Sequence, residues 1–531
     1  MSSLPHRASL VGSPGYRICV AVAGATAAEL MNRATTALSE NRLIELRLDA
    51  LPQPALAHPL LQQLSTLYPT AILLATCRRT VAGGAFHGTA AEEMAILASA
   101  ARHGCALVDL AMESADEATP AQLQHFRAGL RAAGTACLLS SHDFVHTGDL
   151  QQTFFRLAHH APDLAKIVCT AATLSDNLPL LRLLGEPSDI PRIGIAMGEP
   201  GLASRVLALR AGALFTFASA AEGQATAPGQ LTAGALRSLY RADQLGPETR
   251  VYGVAGQPLQ HSLSPRMHTA AFATLGIDAV YLPLATASAA ELMHFARELP
   301  VHGLSVTMPL KRDVLSYLDW IDPLAARVGA CNTLVRTESG AWHGYNTDVD
   351  AVIGPLEKRL PLPGARVLVL GAGGAARAAV FGLSARGADV WILNRTPASA
   401  HRLAAEAGAR VAEPSMLTPA SFDVLLNATP AGMQQATAID LQGEPGREPD
   451  PEPPLCARLV FDMVYNPLET PLLQRARAEG LPLIPGVEMF VSQGARQCEL
   501  WTGRPAPEDT MLHAVMTALR EREGPSTPGA G

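Results

Sequence analysis

Lys166 interrupts the apolar run Leu164-Ala-Lys-Ile-Val-Cys, and His142 ends another run in Ser140-Ser-His-Asp-Phe. A lysine in an apolar strand either turns into the mouth of the fold or snorkels outward to water. Turned inward it can attack a ketone, because burial disfavours the charged ammonium and frees the amine. For Lys166 alone the snorkelling reading is favoured. A histidine at the end of the adjacent strand reverses that balance, since Lys and His at one mouth are equipped for imine formation followed by proton removal at the neighbouring carbon.

A second set lies in the other half of the chain. Lys311 follows a short apolar strand in Ser305-Val-Thr-Met-Pro-Leu-Lys, and Asp348 stands in Asn346-Thr-Asp before a helical pattern. By itself Asp348 reads equally well as a helix cap. Together, beside a nicotinamide domain, the two form an acid/base pair for hydride transfer to a carbonyl. That domain is signalled by the apolar strand 367–370 and the turn Gly371-Ala372-Gly373-Gly374-Ala375-Ala376. Glycines there let the backbone approach a pyrophosphate at a helix N-terminus. The competing reading is a glycine turn that serves only helix–strand packing. The next strand, 390–393, ends in Asn394-Arg395-Thr396. An acidic residue at this point selects NAD, whereas a cation suits the 2′-phosphate of NADP.

These residues need elements to position them. The first half alternates short β-branched apolar runs with Ala/Leu/Arg stretches of helical period. Strands are expected at 18–22, 43–48, 71–76, 106–110, 136–140, 165–169, 192–196 and 214–218, at intervals of roughly 20 to 35 residues, the spacing of βα units. Eight such units predict a closed (β/α)8 barrel, with an open doubly wound sheet as the alternative. A barrel demands its chemistry at the C-terminal strand ends. Glu45 and Arg47 close the second strand, Arg78 follows the third, and His142 and Asp143 follow the fifth. Lys166 lies in the sixth, Met197 follows the seventh, and Gln230 comes after the eighth.

The pattern breaks at 238–250, a polar stretch containing Gly246-Pro247, which is the expected seam. A second α/β region runs to about Leu360, and 361–364 leads into the nucleotide unit. The expected domains are therefore 14–242, 249–360 and 361–520, all of α/β class. Residues 436–455 read as a surface insertion, and those beyond Glu521 as a frayed tail.

Composition excludes other classes. The chain has 531 residues, 48% hydrophobic and 17% charged, which fits packed globular domains rather than disorder. Net charge is −7 with basic residues scattered, so neither a nucleic-acid nor a membrane surface is expected. An anionic substrate needs local Arg and Lys. The eight cysteines include no C-x-x-C pair, which argues against disulfides and structural zinc, and no metal is expected. No signal-peptide h-region and no membrane-spanning run are evident, so a cytoplasmic location is expected.

The motifs resemble two families in order. Ile44-Glu-Leu-Arg-Leu-Asp, Thr76-Cys-Arg, Ser141-His-Asp-Phe, Ala165-Lys-Ile, Ile195-Ala-Met-Gly, Ser204-Arg and Ala227-Pro-Gly-Gln are similar to type I 3-dehydroquinate dehydratase. His261-Ser-Leu-Ser-Pro, Val306-Thr-Met-Pro-Leu-Lys, Gly329-Ala-Cys-Asn-Thr, Asn346-Thr-Asp, the glycine turn, Asn394-Arg-Thr, Asn427-Ala-Thr-Pro-Ala-Gly-Met and Met463-Val-Tyr-Asn-Pro are similar to shikimate dehydrogenase. The whole resembles the plant-type fusion of the two. This implies a barrel followed by a two-lobed dehydrogenase whose C-terminal lobe is a Rossmann fold.

The resemblance also implies roles. Lys166 forms an imine with 3-dehydroquinate, and His142 moves the protons. Glu45, Arg47, Arg78, Arg205, Thr226 and Gln230 hold the substrate, with Met197 lining the pocket. In the second half Ser262 and Ser264 bind the carboxylate of 3-dehydroshikimate, and Thr307, Asn332, Tyr465 and Gln493 complete its site. Lys311, oriented by Asp348, protonates the oxygen as NADPH reduces the ketone to give shikimate. Gly371, Ala372, Gly373, Gly374, Ala375, Asn394, Arg395, Thr396, Thr429, Met463 and Gly486 receive the cofactor.

Several positions depart from the family pattern. Ala82 stands before Gly83-Gly84, and Ala111 two residues after Asp109, where the dehydratases usually carry Glu. Both changes are expected to weaken hydrogen bonding around the imine site. Thr226 replaces a serine, and Ser399 an arginine, leaving NADP preference to Arg395 with help from Arg402. The alternatives are a quinate-preferring dehydrogenase, a chain with an impaired dehydratase, and a non-catalytic sensor. The survival of Lys166, His142, Lys311 and Asp348 argues against the sensor.

Overall fold

The computed structural model describes residues 7–227, 229–260, 262–430 and 455–523. Outside them lie the insertion expected at 436–455 except Leu455, the tail beyond 523, His261, Pro228, and the Ala-Gly-Met end of the Asn427 motif. Leu455, the one described residue of that stretch, is buried at 3% exposure. A helix, Glu508–Glu523, carries past the point where the tail was expected to begin.

Eight parallel strands open the chain: β1 (Ile18–Val22), β2 (Leu43–Arg47), β3 (Ile72–Thr76), β4 (Leu107–Ala111), β5 (Ala136–His142), β6 (Leu164–Thr170), β7 (Arg192–Met197) and β8 (Thr216–Ser219). Their order is β7-β6-β5-β4-β3-β2-β1-β8, with β8 parallel to β1. The last seam is narrowed by the Leu214 N–H, which donates to the Arg192 carbonyl at 2.9 Å. This is the expected (β/α)8 barrel. Its strands read as continuous apolar runs because helices cover one face and the barrel interior the other. Leu43, Ile72, Leu107, Leu138, Leu164 and Phe215 fill the interior at 1% exposure or less.

Pleat and register place the polar exceptions. Thr76 is the register partner of both Arg47 and Asp109, and Ser140 is the partner of Lys166. Side chains two apart share a face, so Glu45 and Arg47 on β2 turn the same way.

The rest of the chain forms two six-stranded sheets. The first holds β9 (Arg250–Gly256), β10 (Ala279–Ala285), β11 (Val301–Val306), β12 (Trp320–Ile321), β13 (Thr333–Arg336) and β14 (Trp342–Tyr345). Its order is β10-β9-β11-β13-β14-β12, with β13 antiparallel to β11 and β14. The second holds β15 (Arg366–Leu370), β16 (Asp389–Leu393), β17 (Arg410–Val411), β18 (Phe422–Asn427), β19 (Ala457–Asp462) and β20 (Leu483–Ile484). It is parallel in the order β17-β16-β15-β18-β19-β20, the doubly wound arrangement of a dinucleotide fold. By packing, the chain divides into two compact units, 1–251 with 278–300 and 252–277 with 301–531.

Candidate active sites

In the barrel, one pocket at the C-terminal strand ends is lined by Glu45, Arg47, Arg78, His142, Lys166, Met197, Arg205, Thr226 and Gln230. Every substrate and catalytic residue expected of the first half therefore meets there. Lys166 does not snorkel. Its Nζ is buried and donates to Asp109 Oδ2 at 3.0 Å, lies 3.9 Å from Glu45 Oε1, and sits 4.0 Å above the Phe217 ring. Asp109 also accepts from Arg78 at 2.8 Å and from Ser140 at 2.5 Å. Burial alone would raise its carboxyl, but Lys166 and Arg78 outweigh that and hold it below its ordinary value.

His142 Nε2 lies 3.0 Å from Arg78 Nη1. A guanidinium has no acceptor, so Nε2 is the basic nitrogen and the imidazole proton resides on Nδ1. Burial, then Arg78, Lys166 and Arg47, drive the His142 pKa well below its ordinary value. The ring is thus a neutral base at physiological pH. Burial also lowers the Arg205 guanidinium to about 10. Thr226 and Gln230 hold each other, the Thr226 N–H donating to Gln230 Oε1 at 2.8 Å and its hydroxyl at 3.2 Å. Asp143 is not drawn into the pocket. It caps its own loop by accepting from Val145 and His146 N–H at 2.9 and 3.0 Å.

In the second unit, Lys311 Nζ donates to Asp348 Oδ2 at 2.5 Å, and Asn332 Nδ2 donates to Oδ1 of the same carboxylate at 2.8 Å. Asp348 is the second residue of the helix Thr347–Glu357, and its carboxylate is spent on these side chains rather than on a cap. Asn332 is itself fixed, its Oδ1 accepting from the Thr347 N–H at 2.8 Å and the Thr333 hydroxyl at 2.8 Å.

Thr307 is drawn to the end of β9, its N–H donating to the Ala255 carbonyl at 2.9 Å. Gly256 makes this approach possible: at φ +148° a Cβ would stand 2.4 Å from Thr307 Cγ2. Gln257 N–H then donates to the Met308 carbonyl at 3.0 Å, joining the loop that carries Ser262 and Ser264 to the loop that carries Lys311. Ser264 is buried and begins a helix, while Ser262 is half-buried. Gln493 and Phe490 lie on the helix Gly486–Thr502, and the Tyr465 ring stacks on Phe490 at 4.5 Å.

The dinucleotide turn follows β15. Gly371 has φ +108°, and a Cβ there would press on Thr429 Cγ2 at 3.1 Å and the Ala428 carbonyl at 3.2 Å. Gly373 and Gly374 are exposed and open the helix Gly374–Ala385, with free space where a Cβ would be. Thr429 bonds Asn427 Oδ1 through N–H and hydroxyl, and the Met463 N–H donates to the Asn427 carbonyl at 3.0 Å. Gly486 backs onto Val464, whose carbonyl a Cβ would meet at 2.3 Å. These residues gather at the C-terminal ends of β15, β18 and β19, where the winding of the sheet reverses and a dinucleotide binds. Arg395 and Thr396 are exposed at the end of β16, and among the described residues no carboxylate pairs with Arg395. The donor set and the open glycine cradle fit NADP. Among the described residues no cluster suits a metal.

Three contributors escaped the sequence reading. Asp109 carried the same signal as Lys166, a charge in an apolar strand, but was not placed in the site. Phe217 had no signal beyond its apolar strand. Gln497 sits among the apolar residues that the helix Gly486–Thr502 buries, at 1% exposure, and ties Ser305 at 2.7 Å to Thr333 at 3.1 Å behind Asn332.

Comparison with known proteins gives matches in the same order. The family described as Type I 3-dehydroquinase matches residues 18–247, and the shikimate dehydrogenase substrate binding domain matches 254–334. The Shikimate / quinate 5-dehydrogenase family matches 356–438 and the Shikimate 5'-dehydrogenase C-terminal domain 486–516. A bifunctional 3-dehydroquinate dehydratase/shikimate dehydrogenase, chloroplastic, of Arabidopsis thaliana is 33% identical over 493 residues, 88% of this chain and 78% of that protein. Shikimate dehydrogenases (NADP(+)) of Methanosarcina acetivorans and Methanothermobacter thermautotrophicus are 40% and 39% identical, each over 51% of this chain and 99% and 98% of their own lengths.

Proposed function

The chain belongs to the family of bifunctional 3-dehydroquinate dehydratase/shikimate dehydrogenases, and we propose that the two constellations described above perform its two steps. The first half dehydrates 3-dehydroquinate to 3-dehydroshikimate. The second reduces that product to shikimate with NADPH. The observation that carries this reading is a buried lysine and a neutral histidine in a single pocket, linked through Arg78, which bonds the histidine, and Asp109, which bonds both the arginine and the lysine. We assign the dehydratase to 14–242, the substrate lobe of the dehydrogenase to 249–360 and the nucleotide lobe to 361–520.

In the barrel, Arg205 holds the substrate carboxylate and the Lys166 amine attacks the ketone carbon, losing water to give an imine. His142 Nε2 takes the proton from the adjacent carbon, and the electron pair flows to the iminium nitrogen. The resulting enamine expels the β-hydroxyl, which leaves as water with the proton returned by His142. Hydrolysis of the imine then frees the amine. Glu45, held by the Thr76 hydroxyl at 2.7 Å, and Asp109 keep the lysine from turning away.

In the second unit, NADPH bound at the glycine turn supplies the hydride. Lys311 donates a proton to the carbonyl oxygen, and Asp348, fixed by Asn332, keeps the ammonium aimed. Ser262 and Ser264 take the carboxylate, and the presence of both hydroxyls favours shikimate over quinate. Arg395 reads the 2′-phosphate. Replacing Arg395 with Ala should raise the KM for NADPH about 10- to 100-fold, the worth of one charged hydrogen bond, and leave that for NADH nearly unchanged. Equal losses with both cofactors would remove the residue from this role.

All eight cysteines are free and buried, which supports a reducing compartment such as the cytoplasm. Among the described residues no helix is long and apolar enough to cross a membrane. The test of the whole reading is purified protein given 3-dehydroquinate and NADPH. Shikimate should form with one NADPH oxidised per molecule made. Dehydroshikimate that accumulates without NADPH oxidation, or direct reduction of the starting ketone, would overturn it.

A further inference from the structure

We propose that Glu93 is a positioning residue of the dehydratase site, one that locks the ends of β3 and β4 together and thereby sets where Arg78 and Asp109 hold His142 and Lys166. The inference rests on the dehydratase reading above. Glu93 lies in the helix Ala90–Arg102, on the face that buries Ala90, Met94, Leu97 and Ala101, where a carboxylate is out of place. It is fully buried, at 0% exposure. A buried carboxylate is costly unless its oxygens are satisfied, so its partners are informative.

Both oxygens are engaged. Oε2 accepts from the Ser114 hydroxyl, and Oε1 accepts from the Ala111 N–H at 3.5 Å. Ala111 ends β4 two residues beyond Asp109, the acceptor shared by Lys166 and Arg78. Ser114 passes the connection on, since its oxygen accepts from Arg79 Nη1 at 3.2 Å. Arg79 is the chain neighbour of Arg78 and is pinned twice more, to the Gly88 carbonyl at 3.0 Å and to Glu117 at 2.7 Å. Glu93 is thus the point at which the loop carrying Arg78 and the strand carrying Asp109 are bonded to one helix. Ala111 brings no carboxylate of its own to this place, and Glu93 delivers one from across the packing interface.

The charged and titratable groups facing it are Asp109 and Cys77 on the strand side and Arg78 and Arg79 on the loop side. Burial raises the Glu93 carboxyl to about 7, against the opposing hydrogen bonds from Ser114 and Ala111. Its charge therefore changes near neutral pH. The ionised form is the stronger acceptor for both donors, so the anchoring should tighten as pH rises through neutrality.

The experiment compares full-length wild type, Glu93→Gln and Glu93→Ala. The readouts are dehydration of 3-dehydroquinate between about pH 6 and 9, circular dichroism and melting temperature. Dehydrogenase activity with 3-dehydroshikimate serves as the control. Glu93→Ala should lower the dehydration kcat on the order of 10²-fold, the cost of misplaced catalytic groups, with KM little changed. Glu93→Gln keeps the volume and should retain the melting temperature, lose less kcat, and lack the inflection near neutral pH that wild type should show. Wild-type kcat and an unaltered pH profile in both variants would overturn the proposal. So would losses that track melting temperature alone, or that fall on KM rather than kcat. A wild type that does not dehydrate the substrate would overturn the dehydratase reading itself, and is distinguished by failing before any substitution is made.

Discussion

Lys166→Met should abolish dehydration while leaving reduction of 3-dehydroshikimate at the wild-type rate. Loss of the covalent nucleophile removes the electron sink, and the rate should fall by more than about 10⁴-fold, the scale seen when a nucleophile is deleted from an enzyme that uses one. Methionine matches the apolar stem of lysine and can lie against Phe217. Asp109 keeps Arg78 at 2.8 Å and Ser140 at 2.5 Å as partners, and Glu45 keeps Thr76, so neither carboxylate is stranded by the change. The barrel should therefore fold. Borohydride added with 3-dehydroquinate should trap an adduct on Lys166 in the wild type and none in the variant. An adduct on another lysine, or turnover that survives in Lys166→Met, would remove the imine from the mechanism.

Lys311→Met should give the mirror result. The variant should lose about 10²- to 10⁴-fold in kcat for reduction, the usual weight of a positioned proton donor. Dehydration and borohydride trapping at Lys166 should be untouched. Lys311 is partly exposed, so its removal leaves Asp348 with its bond from Asn332 and a path to water, and the fold should tolerate it. The measurement is NADPH oxidation against 3-dehydroshikimate, with cofactor affinity followed separately. A variant that keeps the wild-type kcat would show that the ammonium does not protonate the oxygen, and that its pairing with Asp348 is structural.

The strand pattern of the barrel was readable because a sheet buried on both faces leaves continuous apolar runs, and the observed strands begin and end within a few residues of the expected ones. Lys166 and His142 stood out for the same reason, since a polar residue in such a run needs a purpose. Asp109 in Leu107-Val-Asp-Leu-Ala bore the same mark, yet its importance lies in what it touches. Those partners come from the loop after β3 and from β5 and β6, brought around it by the register of the barrel. Glu93 was less visible still. Its position in the helix is one that helical period assigns to the core, and the period does not say what the core presents to it.

What the sequence by itself determined about this protein are the two kinds of chemistry, a lysine–histidine pair and a lysine–aspartate pair beside a glycine turn, and the α/β elements that carry them. Residue type, spacing and apolar period are local properties, and these features are local. Only the tertiary structure decided that Lys166 turns inward rather than outward, that Nε2 is the basic nitrogen of His142, and that Asp348 clamps a lysine instead of capping its helix. Each of those outcomes depends on a partner 16 to 64 residues away along the chain. Direction and tautomer are set by partners at hydrogen-bond distance, and charge by burial and the charges packed around the group, none of which is a local property of the chain.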